Sequence, residues 1–510
     1  MASILEFIPP AVQGPLSAVT EFVNNHLVLS IVVGSFTLFR LSIIIYNLYF
    51  HPLARFPGPR AHAISNFPWY WYYTIQGTAY HRLVDWHRQY GDIVRIRPNE
   101  LSFTNPDAWH EVMGHRARGP ENGKDPQFFN AITVGPPNLA TAPRELHSVT
   151  RRLLSHGFSE ASMRAQEPLI RGYVDLLIQR LSEHSEGGKK ALNMSAWYMY
   201  TTFDVIGDLA FGEPFDCLQN SEMHPWIQLV ISMGRFVTIL QFLSLYPWFK
   251  AIFLMLLPST VTDAGVRHNQ LAKEKLARRM EKEERPDLIN NMIHKHEQFN
   301  LSLAHVQTNA EMLITAGSET TSTMLAGTTF YLATHPEHLK KVVQEVRSTF
   351  KSPEEITLLS VSNLPYMLAC LNEGLRLYHP VAAGLPRVTN SGGSTICGEF
   401  IPPNVTVSIP HYATYRMERN FTDANSFHPE RFLGDEKYAN DKWKAFQPFH
   451  VGPRDCVGRN LAFAEMRLIL SRILYHFDLQ ISEDSTNWVN QNNFVFWNKP
   501  ELNVFLTRVQ

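Results

Sequence analysis

The stretch LAHVQTNAEMLITAGSETTSTMLAGTTFYLAT, residues 303–334, constrains this chain more than any other. Its pattern predicts one helix of about 45 Å, over twice the usual length. It is apolar nearly all round, which suits a helix threaded through the centre of a large domain. The middle, Ala316-Gly317-Ser318-Glu319-Thr320-Thr321, breaks that character. An interior glycine costs ~1 kcal/mol against alanine, and buried polar groups cost more unless satisfied. Two readings fit. In one, Gly317 relieves a tight helix contact and the hydroxyls bond back to carbonyls one turn earlier. In the other, a ligand lies against Gly317, with Glu319 and Thr320 handling protons beside it.

A core wide enough to enclose such a helix needs a long chain. This one has 510 residues, 45% apolar and 18% charged, ample for a sizeable interior. No repeat, linker or charge block divides residues 61–510, so one large domain is expected. Lys+Arg 46 against Asp+Glu 47 leaves almost no net charge, which gives no support to a nucleic-acid partner. The four cysteines, at 217, 370, 397 and 456, show no Cys-x-x-Cys spacing. That argues against a disulfide framework or a zinc ribbon and suits a reducing compartment.

The N-terminal end differs in kind. Between Phe22 and Ala54 the single formal charge is Arg40, and FVNNHLVLSIVVGSFTLF is about long enough to cross a bilayer. No basic segment precedes it and no small-residue cleavage site follows, which argues against a signal peptide. Arg40, Arg55 and Arg60 follow the span, so the bulk of the chain should be cytosolic. The expected layout is a short lumenal segment (1–21), a transmembrane anchor (22–48), a stiff proline-rich connector (49–60) and one folded body (61–510). A buried core helix at 22–48 is the alternative.

Within the body, apolar periodicity predicts helices near 79–90, 144–157, 161–183, 195–211, 223–240, 264–296, 303–334, 336–350 and 362–378. A hairpin turning at Pro98-Asn99, strands at 393–400 and 405–409, and a terminal strand pair are expected. The fold class is therefore mainly α with small β-sheets. The apolar run 236–259 either forms core or dips into a membrane. Glu373 and Arg376 sit at i, i+3, where they can pair, with Arg431 a candidate third member; an ordinary solvated pair fits equally.

One more motif is strong by itself and, with the two above in order, decisive. Phe449-His-Val-Gly452-Pro-Arg454-Asp-Cys456-Val-Gly458 places a lone thiol at the mouth of a helix. This loop, Ala316-Gly317-x-Glu319-Thr320-Thr321, and Glu373-x-x-Arg376 with Arg431 occur in that family's order and spacing in the cytochrome P-450 haem-thiolate monooxygenases, which the chain resembles over about residues 50–510. The resemblance implies the cytochrome P-450 fold, with residues 61–510 as the haem-binding catalytic domain. Cys456 would be the axial ligand of heme b iron, its thiolate favoured by the helix N-terminus. Gly452 and Gly458 would permit close approach of the porphyrin, with Phe449 beside it. Arg454, Arg387, Arg151 and His147 would reach the propionates, His147 standing where the family often has Trp. Thr320 would hydrogen-bond O2, Glu319 would relay protons, and Gly317 would leave room. His411, His428 and His450 are not expected to bind iron. Pocket walls are expected in 105–140, Val381–Leu385 and Phe494–Trp497.

The entry segment and cysteine region look most similar to fungal microsomal members of the isotrichodermin hydroxylase group. That resemblance implies hydroxylation or epoxidation of a lipophilic secondary metabolite. It also implies an endoplasmic reticulum anchor and electrons from NADPH through a separate reductase, with cytochrome b5 as a possible second donor. A reductase-independent isomerase or dehydratase, a fatty-acid or xenobiotic hydroxylase, and a non-catalytic binding protein are the alternatives.

Overall fold

The computed structural model describes residues 26–116, 121–132 and 135–509. The expected lumenal segment and the first residues of the anchor lie outside that range. Helices used below, in chain order, are α1 (Leu27–Ile45), α2 (Arg144–Ser155), α3 (Glu160–His184), α4 (Met194–Phe211), α5 (Pro225–Leu243), α6 (Pro247–Met255), α7 (Leu303–Thr334), α8 (Pro365–Leu377) and α9 (Arg459–His476).

The long central helix spans the residues its pattern marks. Ser302 opens α7 with a reciprocal cap: its side chain takes the His305 amide, and the Ser302 amide donates to His305 Nδ1. His335-Pro336 closes it, since proline cannot continue the ladder. It packs lengthwise on α4, where Tyr198 and Thr329 share a hydroxyl–hydroxyl bond of 2.7 Å and Thr202 donates to Ser318 O at 3.1 Å. Gly374 of α8 lets Thr328 approach, because a Cβ there would meet its Oγ1 at 2.5 Å. These contacts put α7 in the middle of one continuous apolar core shared by α3, α4, α8 and α9.

The sheets are small and peripheral. Strands β1 (Ile93–Arg97), β2 (Glu100–Phe103), β3 (Gly123–Lys124), β4 (Ala191–Asn193), β5 (Arg387–Val388), β6 (Ser394–Ile396), β7 (Glu399–Ile401), β8 (Thr406–Ser408), β9 (Phe477–Ile481), β10 (Asn493–Phe494), β11 (Phe496–Trp497) and β12 (Asn503–Arg508) follow in sequence. The largest sheet runs β1-β2-β8-β5-β3 and covers a second apolar cluster around Leu101, Phe103, Trp109 and Val407. The β1–β2 hairpin turns at Pro98-Asn99 as its sequence signals.

Three sequence expectations change. The helix expected over 264–296 is two helices, Ser259–Glu281 and Asn290–Lys295. Pro286 interrupts the run, and Asp287 turns inward to a buried pair with Arg279 at 2.7 Å. The strand expected over 393–400 is the β6–β7 hairpin, turned at Cys397-Gly398, both with positive φ. The last strand, β12, pairs with β9 and β4 rather than with its neighbour in sequence.

Helix α1 continues through a π turn, Tyr46–Phe50, and its side chains stand almost wholly exposed. Its base is fastened to the body: Arg95 donates to Asn47 O at 2.8 Å, and the Arg95 amide to Pro57 O at 2.8 Å. The connector is thus a docked segment rather than a free tether. Helix α6 leaves Trp248 85% and Met255 84% exposed, so the run 236–259 is only partly core.

Candidate functional site

The Cys456 loop is shaped from within. The Cys456 amide donates to Phe449 O at 2.9 Å, and Arg151 of α2 grips Asp455 through its carbonyl at 2.6 Å and its Oδ1 at 2.5 Å. Gly452 has φ +85°, and a Cβ there would lie 2.1 Å from Met113 O. Glycine is needed there because the loop folds tightly onto Met113-Gly114. Gly458 caps α9, and its amide donates to the Cys456 sulfur. A Cβ on Gly458 would sit 3.6 Å from Phe158 and 4.0 Å from that sulfur, ordinary contacts. Burial pushes the Cys456 thiol above its usual range, outweighing the Gly458 amide, Arg151 and Arg459.

The sulfur faces a cavity of ≈ 330 Å³ that runs from the loop to α7. Met312, Leu313, Ala316, Gly317, Thr320 and Thr321 form the α7 wall, and Phe129, Ile132, Leu139, Val381 and Leu385 complete an apolar chamber. Thr320 lines the cavity while its hydroxyl donates back to Ala316 O at 2.5 Å. A Cβ on Gly317 would meet Ile206 of α4 at 2.8 Å, so this glycine serves a close helix contact as well as the cavity wall. The wall expected at Phe494–Trp497 is elsewhere: Trp497 donates to His379 O at 2.9 Å and stacks on Tyr378. Gly384, with φ +67°, packs on Ile409 O and reflects a tight loop.

Glu319 does not line the cavity. It turns to the side of α7 where Lys499 and Thr323 meet it.

At one end of the cavity cations collect. Arg454 pairs with Glu121 at 2.8 Å. Arg387 is buried and donates to the Leu385 and Pro386 carbonyls, both at 3.2 Å, with its guanidinium over the Phe129 ring. The residue that sequence reasoning missed is Lys124, whose ammonium donates to Ala140 O at 2.6 Å, Ala142 O at 3.1 Å and Leu139 O at 3.3 Å. The β3–β5 register sets Lys124 directly opposite Arg387, and like charges so placed repel. Burial, then Arg454 and Arg387, pulls Lys124 down to about 6. Burial and the same cations take His147 to about 3, and burial with Arg454 takes Arg387 to about 10. His450, buried beside them with both ring nitrogens unpartnered, is pulled to about 3, chiefly by burial and then by Arg387. No sequence spacing signalled Lys124, because only the sheet pairing brings it here.

Such an excess of buried cation next to a thiol and an apolar chamber fits a flat iron macrocycle carrying two carboxylates. Lys124, Arg387, Arg454 and His147 would hold the carboxylates, and Cys456 the iron. Arg151, which also lines the cavity, fixes Asp455 and so the loop.

Behind the loop lies a fully buried ion network. Arg376 meets Glu373 with paired bonds of 2.7 and 2.8 Å and donates to the Tyr415, Ala424 and Ser426 carbonyls. Arg431 donates to Glu373 at 3.1 Å and also pairs with Asp441. All three expected members have 0% side-chain exposure, so the solvated-pair reading is set aside.

A thiol-bearing loop, a central helix with hydroxyls on the cavity, and a cationic end are the parts a haem-thiolate centre would need. The family model for cytochrome P-450 matches residues 57–506, and the chain belongs to that family. It is 44% identical to a cytochrome P-450 monooxygenase of Penicillium brasilianum over 91% of this chain and 95% of the relative. It is 41% identical to the trichothecene C-15 hydroxylase of Fusarium sporotrichioides, over 91% and 95%. An averantin hydroxylase of Dothistroma septosporum is 39% identical over 92% and 89%. The protein is a haem-dependent monooxygenase that uses O2 and NADPH-derived electrons. The haem, when bound, supplies the oxygen-activating chemistry; the chain holds it, positions the substrate and manages protons.

Proposed function

We propose that this enzyme inserts one oxygen atom into an unactivated carbon of a lipophilic fungal secondary metabolite, a terpenoid or polyketide. The observation that carries the reading is the cavity itself: apolar walls face the Cys456 loop, and Thr320 and Thr321 bring the α7 hydroxyls to it. A substrate bound there is oriented by shape and burial rather than by charge. Cys456 ligates the iron, Arg454, Arg387 and His147 secure the propionates, and Thr320 offers its hydroxyl to O2. The names of the trichothecene and averantin hydroxylases support the substrate class.

The enzyme is anchored in the endoplasmic reticulum membrane by α1, with its body in the cytosol. It receives electrons from NADPH–cytochrome reductase, with cytochrome b5 as a second donor. The apolar crest of α6 rests in the same lipid surface and opens a route for lipophilic molecules.

The test is an untargeted metabolite comparison between the parent fungus and a deletion strain. It is followed by conversion of the accumulating compound in microsomes. The expected result is one accumulating precursor that gains a single oxygen only with NADPH. Conversion without NADPH would replace this reading with an isomerase. Cys456→Ala should abolish the thiolate-type absorption of the reduced carbon monoxide complex, and an unchanged spectrum would remove Cys456 as the ligand.

A further inference from the structure

The geometry points to Lys499 as the positioning residue for the proton-handling carboxylate of α7. Glu319 sits one residue before Thr320, yet its carboxylate lies outside the cavity and is almost completely buried. Lys499, on the turn between β11 and β12, ion-pairs with Glu319 Oε1 and donates to Thr323 Oγ1 at 2.6 Å. Thr323 donates to the same Glu319 oxygen at 3.1 Å, from one turn further along α7. Glu319 Oε2 is buried without a hydrogen-bond partner. One oxygen is therefore clamped from two sides and the other left open.

A fastening whose whole purpose was to tie the chain end to α7 would gain by satisfying both oxygens, since an unpartnered buried acceptor is costly. The asymmetry suits a carboxylate that must be held in place and still exchange protons. Lys499 keeps its side chain only 9% exposed, but its chain neighbours Asn498 and Pro500 are exposed on either side, while Glu319 lies inside. The set Lys499–Thr323–Glu319 thus forms the inner end of a proton entry from the β11–β12 edge. A proton taken up from water on Oε2 and passed toward the Thr320 side leaves the carboxylate as it was. The ion pair is unchanged after each passage. Tyr378, which feels the Glu319 charge, closes the site on the α8 side, with its phenol donating to Gln491 at 2.6 Å.

This inference rests on the monooxygenase reading, and its test separates the two. Lys499→Met keeps the stem and removes the charge, leaving a lone buried carboxylate that favours the neutral acid. Two readouts are taken on the haem-loaded full-length enzyme. The first is infrared: Lys499→Met should show a protonated-carboxyl band at neutral pH. Because Glu465, raised by burial to about 8, already gives the parent such a band, the readout is the spectrum of Lys499→Met minus parent, and the added band should vanish when Glu319→Gln is combined with it. The second is the fraction of NADPH electrons recovered in product, expected to fall about tenfold with peroxide rising in step. Lys499→Arg should recover most of the coupling. Thr323→Val, which keeps the ion pair, should lose about threefold, and it carries the test if the methionine variant fails to load haem.

A lower melting temperature with unchanged coupling and no new band would make Lys499 a purely structural fastener and overturn the inference. Unchanged coupling in Thr323→Val would do the same. If the parent itself converts none of the candidate metabolites, the substrate reading fails, while the infrared band still decides the role of Lys499.

Discussion

At the residue scale, Lys124 is the side chain most at odds with its surroundings. It sits opposite Arg387 across the β3–β5 pair, with carbonyl oxygens for company. Its ammonium is pulled to about 6 by burial and by Arg454 and Arg387. Two carboxylates arriving beside it would push that value back up. The sign follows directly: between about 6 and the raised value, the loaded protein holds a proton that the empty one lacks. Reconstitution of apoprotein with haem should therefore take up a proton near pH 8, and affinity should fall as pH rises through this window. Calorimetry in buffers of different ionisation heat reads the uptake directly. Lys124→Met should remove about one proton of it and shorten haem retention; identical uptake in parent and variant would refute the assignment.

At the scale of elements, the Glu373–Arg376–Arg431 network decides whether α8 can hold the loop region in place. Arg376 donates to carbonyls of the 415–426 segment, and the Tyr415 hydroxyl accepts from the Gln447 amide just before the cysteine loop. Removing one charge leaves its partner buried and alone, which costs about 3–5 kcal/mol. Glu373→Gln should therefore lower the melting temperature and the haem content together. Thr320→Ala, which touches only a cavity-facing hydroxyl, should leave both unchanged. A Glu373→Gln protein that retains full haem content would show the loop to be held by other contacts. The i, i+3 spacing was readable in sequence, but the burial that turns a weak pair into a strict requirement was not.

At the scale of the whole molecule, the apolar surfaces lie where a membrane could cover them. Helix α1 stands exposed along its length, and α6 presents Trp248, Phe249, Ile252 and Met255. Rings run continuously from Tyr70 through Phe242 and Tyr246 to Phe249. Removing residues 1–45, which spares the Arg95 bond to Asn47, should leave a folded enzyme still partly bound to lipid vesicles. Adding Trp248→Ser and Phe249→Ser should release it. Flotation with vesicles reads both steps; complete release by truncation alone would confine membrane contact to α1.

The sequence by itself determined what depends on order along the chain. The extent of α7, the Pro98-Asn99 hairpin and the cysteine loop followed by α9 are local, set by periodicity, capping and turn residues. So was the presence of Cys456, Thr320 and the Glu373 pair in one chain. Tertiary structure alone decided what depends on neighbours far away in sequence. Lys124 faces Arg387 through a strand pairing across more than two hundred residues. Glu319 turns from the cavity because Lys499 comes back from the chain's end to meet it. Gly452 must also clear the backbone of Met113, which lies more than three hundred residues away. Periodicity says which face of a helix is buried, but charge and contact belong to whatever the fold places opposite.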